Sequence, residues 1–170
     1  MQPKFPGVDT VAKENKTNAM RIIETVGIAY TMHSYEAGDG AIDGHAVAAK
    51  IGLSPSQVYK TLVTKGTGRD LFVFVIPVDA ELDLKKAART VGEKSVEMIH
   101  VADINRLTGY IRGGCSPVGM KKQYVTVIHQ AALEQPTITV SAGRIGLQVE
   151  VAPRDLAGLV GAQFADLVRG

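Results

Sequence analysis

A chain of 170 residues with 45% hydrophobic residues and a formal net charge of +2 is long enough for one domain with its own core and short for two. That balance argues against disorder and against a long duplex-binding footprint, yet it permits contact with a small anionic piece such as one nucleotide end. A single cysteine excludes an internal disulfide and a cysteine-cluster zinc site, and His33, His45, His100 and His129 show no metal-ligand spacing, so no metal is expected; the expected cofactor set is none.

Residues 1–15 carry Pro3, Pro6, Gly7 and Asp9 without an apolar run, so no secretory signal is expected there. They read as a poorly ordered N-terminal extension to a domain spanning residues 16–170. The longest apolar run, Leu71 to Val78, is too short to span a bilayer, and a soluble cytoplasmic protein with no membrane association is expected.

Thr17-Asn18 offers an N-cap to a helix with Met20, Ile22, Ile23 and Val26 on one stripe, closed by Gly27. Ile28 to Tyr35 reads as a strand, Glu36 to Gly44 as a Gly/Asp-rich loop, and His45 to Lys50 as a helix closed by Gly52. Ser54-Pro55 predicts one short helical turn. Lys60 to Thr64 and Leu71 to Ile76 then form a hairpin across a glycine-rich link. Asp83 caps a helix holding Leu84, Ala87, Ala88 and Val91 that ends at Gly92. Ser95 to Ile99 alternates as a strand, and Val101 to Leu107 suggests a short helix.

Beyond a glycine loop, Tyr124 to Ile128, Thr137 to Ser141 and Leu147 to Val151 are strand candidates. Pro153 opens a helix from Arg154 to Val160, and Phe164 to Val168 completes the chain. Several links between strands are too short for a parallel crossover. The expected class is α+β, with a mixed, largely antiparallel sheet and helices packed around it.

Two features invite chemistry. In Gly113-Gly114-Cys115-Ser116-Pro117 the paired glycines allow close backbone approach to a ligand, and Pro117 fixes the exit and biases Ser116 toward an extended form. With Lys121 and Lys122 following, such a loop suits a flat, polar, anionic group; it could equally be a tight surface turn. The second feature is Lys60 in a β-rich run, which either snorkels from an edge strand or points into a cleft. Lys85, Lys86 and Arg89 read either as a phosphate-facing rim with Lys121 and Lys122 or as a solvated helix face. Asp39 and Asp43 are open between lid and turn roles.

Four segments in order carry a family resemblance: Val58 to Val63 (Val-Tyr-Lys-Thr-Leu-Val), Leu82 to Ala88, Thr108 to Lys122, and Val140 to Leu147 (Val-Ser-Ala-Gly-Arg-Ile-Gly-Leu). Together they closely resemble the free-standing Cys-tRNA(Pro) deacylases of the YbaK type, relatives of the editing domain inserted in bacterial prolyl-tRNA synthetases. The resemblance runs from Lys16 to the end of the chain. It implies that family's fold, a barrel-like, largely antiparallel sheet with surrounding helices.

For function, the resemblance implies trans-editing: removal of cysteine from mischarged Cys-tRNA(Pro), and by extension Cys-tRNA(Cys), in a ternary complex with prolyl-tRNA synthetase. A second hydrolytic sieve is physically expected where pocket contacts discriminate poorly between small side chains. Lys60 corresponds to the family's essential lysine, and Gly113 to Pro117, with Gly114 and Ser116, to its substrate loop. Tyr35 falls at a pocket aromatic. Ser141, Gly143, Gly146 and Gln148 fall on the remaining substrate wall, and Lys121 and Lys122 near the tRNA. The rival readings are editing of another amino acid, such as alanine, and a non-catalytic module that binds a nucleotide or tRNA end.

Ser116 lacks a nucleophile elbow, and no Ser-His-Asp pattern is evident. Cys115 reads as a small buried filler. The resemblance suggests that the substrate thiol instead attacks its own ester, with Lys60 orienting the terminal phosphate or ester and, with the N–H groups of Gly113 and Gly114, stabilising negative charge. Many relatives carry Asp where this chain has Gln148, which cannot act as a base. Glu150 lies on the same strand face, either as a substitute carboxylate or facing solvent.

Overall fold

The computed structural model describes residues 16–170. The expected N-terminal extension lies outside the described residues.

Local chemistry places the helices where capping signals stand. Helix α1 (Asn18–Thr25) starts where the Thr17 side chain accepts from Met20 N at 3.2 Å, and it buries Ala19, Met20 and Ile23. Helix α2 (Gly44–Ile51) is capped by Asp43 and stops at Gly52, which takes the left-handed conformation. Helix α3 (Leu84–Val91) has the Asp83 carboxylate accepting from both Lys85 N and Lys86 N. Helix α4 (Val101–Thr108) ends at Gly109, and α5 (Pro153–Val160) opens on proline, whose missing N–H costs nothing in a first turn.

The strands are β1 (Tyr30–Ser34), β2 (Tyr59–Gly66), β3 (Leu71–Pro77), β4 (Val96–Met98), β5 (Val125–His129), β6 (Ile138–Arg144), β7 (Leu147–Val151) and β8 (Gln163–Ala165). They assort into a three-stranded sheet, β1-β7-β6, and a five-stranded sheet, β4-β2-β3-β5-β8. β1–β7, β6–β7, β2–β3 and β2–β4 pair antiparallel, whereas β3–β5 and β5–β8 pair parallel, as expected of a mixed, largely antiparallel α+β fold. The two sheets are joined by a parallel bridge between Val58 and Thr139.

β3 is apolar throughout because both of its faces are covered. Val73 and Val75 join α1, α5 and residues of the three-stranded sheet in the largest core cluster. Phe72, Phe74 and Ile76 pack on the other face with Ala87 and Ala88 of α3. A smaller cluster of Ala48, Val58 and Val78 fixes α2 over the start of β2.

Two local expectations change. Ser54 to Gln57 forms a single hydrogen-bonded turn (Gln57 N to Ser54 O, 2.9 Å) rather than a turn of helix. Gln130–Glu134 forms a 3-10 helix that carries no periodic signal. Among the described residues, no helix is long and apolar enough to cross a membrane.

Candidate active site

β2 changes partners along its length, and a cleft opens at the change. Near its end β2 is flanked by β4, which pairs only with Thr64 to Gly66, and Ile99 N donates to Val63 O at 3.2 Å. At its start, Thr139 N donates to Gln57 O at 2.9 Å. Val78 N donates to Val58 O, so by antiparallel alternation Lys60 also turns its main chain toward β3, while that of Thr61 faces the open side. In that gap lies a cleft of about 680 Å³, walled by Tyr59 to Leu62, the start of α2, the glycine loop and the β6–β7 hairpin.

Lys60 and Arg112 bring positive charge to the cleft and Asp43 brings negative charge. Among the described residues, neither cation has an ion-pair or hydrogen-bond partner. Other basic side chains are engaged: Lys16 with Glu24, Lys50 with Asp39, Lys86 with Asp166. The Asp43 carboxylate accepts from Ala46 N at 3.0 Å, so one oxygen caps α2 while the residue lines the cleft. Tyr59 and Thr61 line it too, and their hydroxyls are buried without a hydrogen-bond partner among the described residues. Burial pushes the Tyr59 hydroxyl up to about 12, which keeps it a proton donor near neutrality. Hydroxyls buried in this way commonly mark places where water or ligand completes the bonding.

The glycine loop divides into a working edge and a foundation. Gly113, at φ +86°, is exposed and lines the cleft beside Ile42 and Ile145. Gly114 is buried, and its N–H donates to Ile111 O at 3.0 Å, so it is not a free donor to the cleft. Ser116 is fully buried and accepts from Val118 N at 3.2 Å, and Pro117 is buried beside it. Both shape the loop, and neither is among the residues that line the cleft. Cys115 does line it, but desolvation pushes its thiol up to about 11, against a smaller opposing effect of a hydrogen bond with Thr108.

The hairpin supplies the opposite wall. Ser141 and Gln148 are cross-strand partners, and both line the cleft. The Ser141 hydroxyl accepts from Gly143 N at 3.1 Å. Gly143 (φ +98°) and Gly146 (φ +100°) shape the turn, with the Tyr110 ring close against Gly143. Glu150 is already engaged, by His33 Nε2 at 2.8 Å and Thr137 Oγ1 at 2.5 Å. Burial raises its carboxyl, but these two bonds outweigh that and hold it below the usual range. It is not among the cleft-lining residues and does not stand in for a carboxylate at Gln148.

Tyr35 sits just past β1, its N–H donating to Gly146 O at 2.9 Å and its ring 5.9 Å from Lys50 Nζ. It supports the hairpin turn from behind the lining residues, and its buried hydroxyl has no partner among the described residues. Lys50 Nζ donates to Glu36 O, Asp39 Oδ1 and Ala41 O, gathering the loop that presents Gly40, Ile42 and Asp43 to the cleft.

Lys121 donates to Arg106 O near the end of α4, Lys122 is exposed, and neither lines the cleft. Lys86 reaches Asp166 and Val168 O, which removes it from any phosphate rim. The cation missed in sequence is Arg112, although it stands directly before the paired glycines. Tyr59 and Thr61 carry no sequence signal of their own, set in an ordinary β-rich run. Among the described residues no three His, Cys, Asp or Glu side chains gather as a metal site.

Residues 42–159 match the aminoacyl-tRNA editing domain. The chain is 43% identical over 154 residues to EbsC of Enterococcus faecalis, named as a candidate Cys-tRNA(Pro)/Cys-tRNA(Cys) deacylase, with 91% of this chain and 94% of EbsC covered. YwhH of Bacillus subtilis, an uncharacterised protein, is 27% identical over 110 residues, covering 65% of this chain and 69% of YwhH. The solved structure of a candidate trans-editing enzyme for prolyl tRNA synthetase superposes with a TM-score of 0.79 at 26% identity, covering 91% of this chain and 99% of the other.

Proposed function

Because this chain belongs to the aminoacyl-tRNA editing domain family, we propose that it is a trans-editing deacylase that removes cysteine from mischarged Cys-tRNA(Pro) and from Cys-tRNA(Cys). What supports this reading is that Lys60, Gly113, Ser141 and Gln148, from three separated segments, line one cleft. Residues 16–170 act in it as a single editing domain.

Among the described residues, the cleft holds no activated protein nucleophile. A thiol at about 11 is ionised to only about one part in 10⁴ at pH 7, so Cys115 is a poor one. The cysteine substrate brings its own thiol, with an ordinary pKa of about 8.5. Its sulfur attacks the ester carbonyl carbon, a C–S bond forms, and the C–O bond to the terminal ribose breaks. The thiol proton passes to the departing ribose oxygen, leaving a four-membered thiolactone that water opens to free cysteine. Negative charge develops on the carbonyl oxygen during attack. Lys60 and the Gly113 N–H, which has no acceptor among the described residues, stabilise it. Gln148 and Ser141 hold the ester and ribose by hydrogen bonds without taking a proton.

A net charge of +2 gives modest, salt-sensitive affinity for tRNA. A ternary complex with prolyl-tRNA synthetase then supplies tRNA selection, in the cytoplasm.

The test is a deacylation panel with tRNA(Pro) carrying cysteine, alanine, serine or proline. Cysteine is released fastest on this reading. Release of alanine in preference to cysteine transfers the activity to another editing specificity. Saturable tRNA binding without turnover of any substrate makes the chain a binding module.

A further inference from the structure

Arg112 is placed with more care than a surface arginine needs. The bond from Gly114 N–H to Ile111 O closes a four-residue turn with Arg112 and Gly113 at its centre. A turn with positive φ at its third residue asks for glycine, and Gly113 at +86° meets that demand. The turn rests on the β6–β7 hairpin: a methyl added to Gly114 would lie 3.1 Å from Ile145 N, and one on Gly113 would lie 3.1 Å from Ile42 Cδ1. The backbone carrying Arg112 is therefore seated from two sides.

The charge around it is one-sided. Lys60 and Arg112 together outweigh Asp43 in the cleft, and no acid neutralises the guanidinium among the described residues. A planar fork of donors suits a phosphodiester, which it grips through two oxygens, whereas a lysine ammonium acts as a point charge.

We propose that Arg112 binds phosphate in this cleft, gripping the phosphodiester that precedes the esterified terminal ribose so that the ester lies at Lys60. The assignment rests on the deacylase reading for the identity of the nucleotide end. It gives the phosphate to Arg112 rather than to Lys121 and Lys122, which lie outside the cleft, and leaves Lys60 to the ester.

The experiment compares an RNA hairpin carrying the single-stranded 3′ end of a tRNA with the same hairpin whose last linkage is an uncharged methylphosphonate. Each is titrated against the wild-type protein, Arg112→Gln and Arg112→Lys. Wild type should lose about tenfold in affinity when the linkage is neutralised, the worth of one charge-assisted bond. Arg112→Gln should bind both hairpins alike, and Arg112→Lys should keep part of the difference. In turnover, Arg112→Gln should raise KM with little change in kcat. The salt slope of log(kcat/KM) should become shallower by about 0.7, one single-strand phosphate contact.

If Arg112→Gln retains the full wild-type sensitivity to the methylphosphonate, or if wild type has none, the assignment is overturned. Failure of the deacylase reading is distinguishable: the linkage effect would then depend on Arg112 while no cysteine is released from charged tRNA.

Discussion

Gly114 meets Ile145 backbone to backbone, so closely that a methyl fits only if the main chain gives by a few tenths of an ångström: an added Cβ would stand 3.1 Å from Ile145 N and 3.4 Å from Arg144 Cα. This contact locks the glycine loop onto the β6–β7 turn, and both segments carry cleft residues. Because the obstruction is main chain, it yields only by a shift of the hairpin turn itself. Gly114→Ala should cost about 1–3 kcal/mol, as overpacking of a close-packed contact does. A thermal melt should show a fall of roughly 2–4 °C per kcal/mol for a chain of this size. Deacylation should fall with it, because Gly113 and Arg112 move with the loop. An unchanged melting temperature and rate would mean that the two segments are not coupled.

On the proposed mechanism the reactive sulfur belongs to the substrate. Cys115 lines the cleft with its thiol pushed up to about 11 by burial, so Cys115→Ala should retain activity within a few-fold of wild type. In contrast, tRNA charged with S-methylcysteine should resist cleavage. Loss of activity in the variant together with normal cleavage of the blocked substrate would place the nucleophile on the protein.

Lys50 is a positioning residue for the cleft's outer loop. Its ammonium ties together Glu36 O, Asp39 Oδ1 and Ala41 O, and the partly exposed Asp39 pair adds little by itself. Lys50→Met should cost about 1 kcal/mol in global stability. The larger effect should be local, as faster hydrogen exchange at the amides of Gly40, Ala41 and Ile42 and a higher KM at nearly constant kcat. Wild-type exchange at those amides would remove Lys50 from any role in shaping the cleft.

His129 links stability to pH. Its Nδ1 accepts from Leu167 N at 3.2 Å and must be unprotonated to do so. Burial lowers its pKa below the ordinary value, and Lys86 lowers it further. Asp166 and Glu134 act in the opposite direction without overcoming burial. The unfolded chain therefore takes up this proton first as pH falls, and the contribution to stability is present above about pH 6.5 and lost below it. The urea midpoint should drop from pH 7.5 to 5.5. His129→Asn, which keeps an acceptor that does not titrate, should flatten that limb. A slope of the same size in the variant would assign the effect to other groups.

The parts of the fold legible in the sequence are those governed by local chemistry. Thr17, Asp43 and Asp83 cap helices through their own side chains, and Pro153 opens α5, as their spacing predicts. The β2–β3 hairpin was also readable, since its two runs and turn are contiguous. The parallel pairing of β3 with β5 and of β5 with β8 was not, because it depends on which distant segments cover β3. At the site, resemblance marked Lys60, Gly113, Ser141 and Gln148, all of which line the cleft. Gly114 and Ser116 share the same motif yet serve as foundation, a distinction that only hydrogen-bond partners and packing reveal. Arg112 carries no such mark, because an arginine in a turn looks like any solvated cation until the turn is seated against the hairpin.

On the proposed function, the cleft around Lys60 releases cysteine from tRNA. The most direct measurement of this is the rate of cysteine release from Cys-tRNA(Pro) by Lys60→Ala, alongside the melting curve of the same variant. Lys60 has no ion-pair partner among the described residues and is only half buried, so the melt should match wild type. Release should fall by at least about 100-fold, as removal of a donor to a developing oxyanion does. A Lys60→Ala protein that melts normally and still releases cysteine at close to the wild-type rate would take the chemistry away from Lys60 and its cleft.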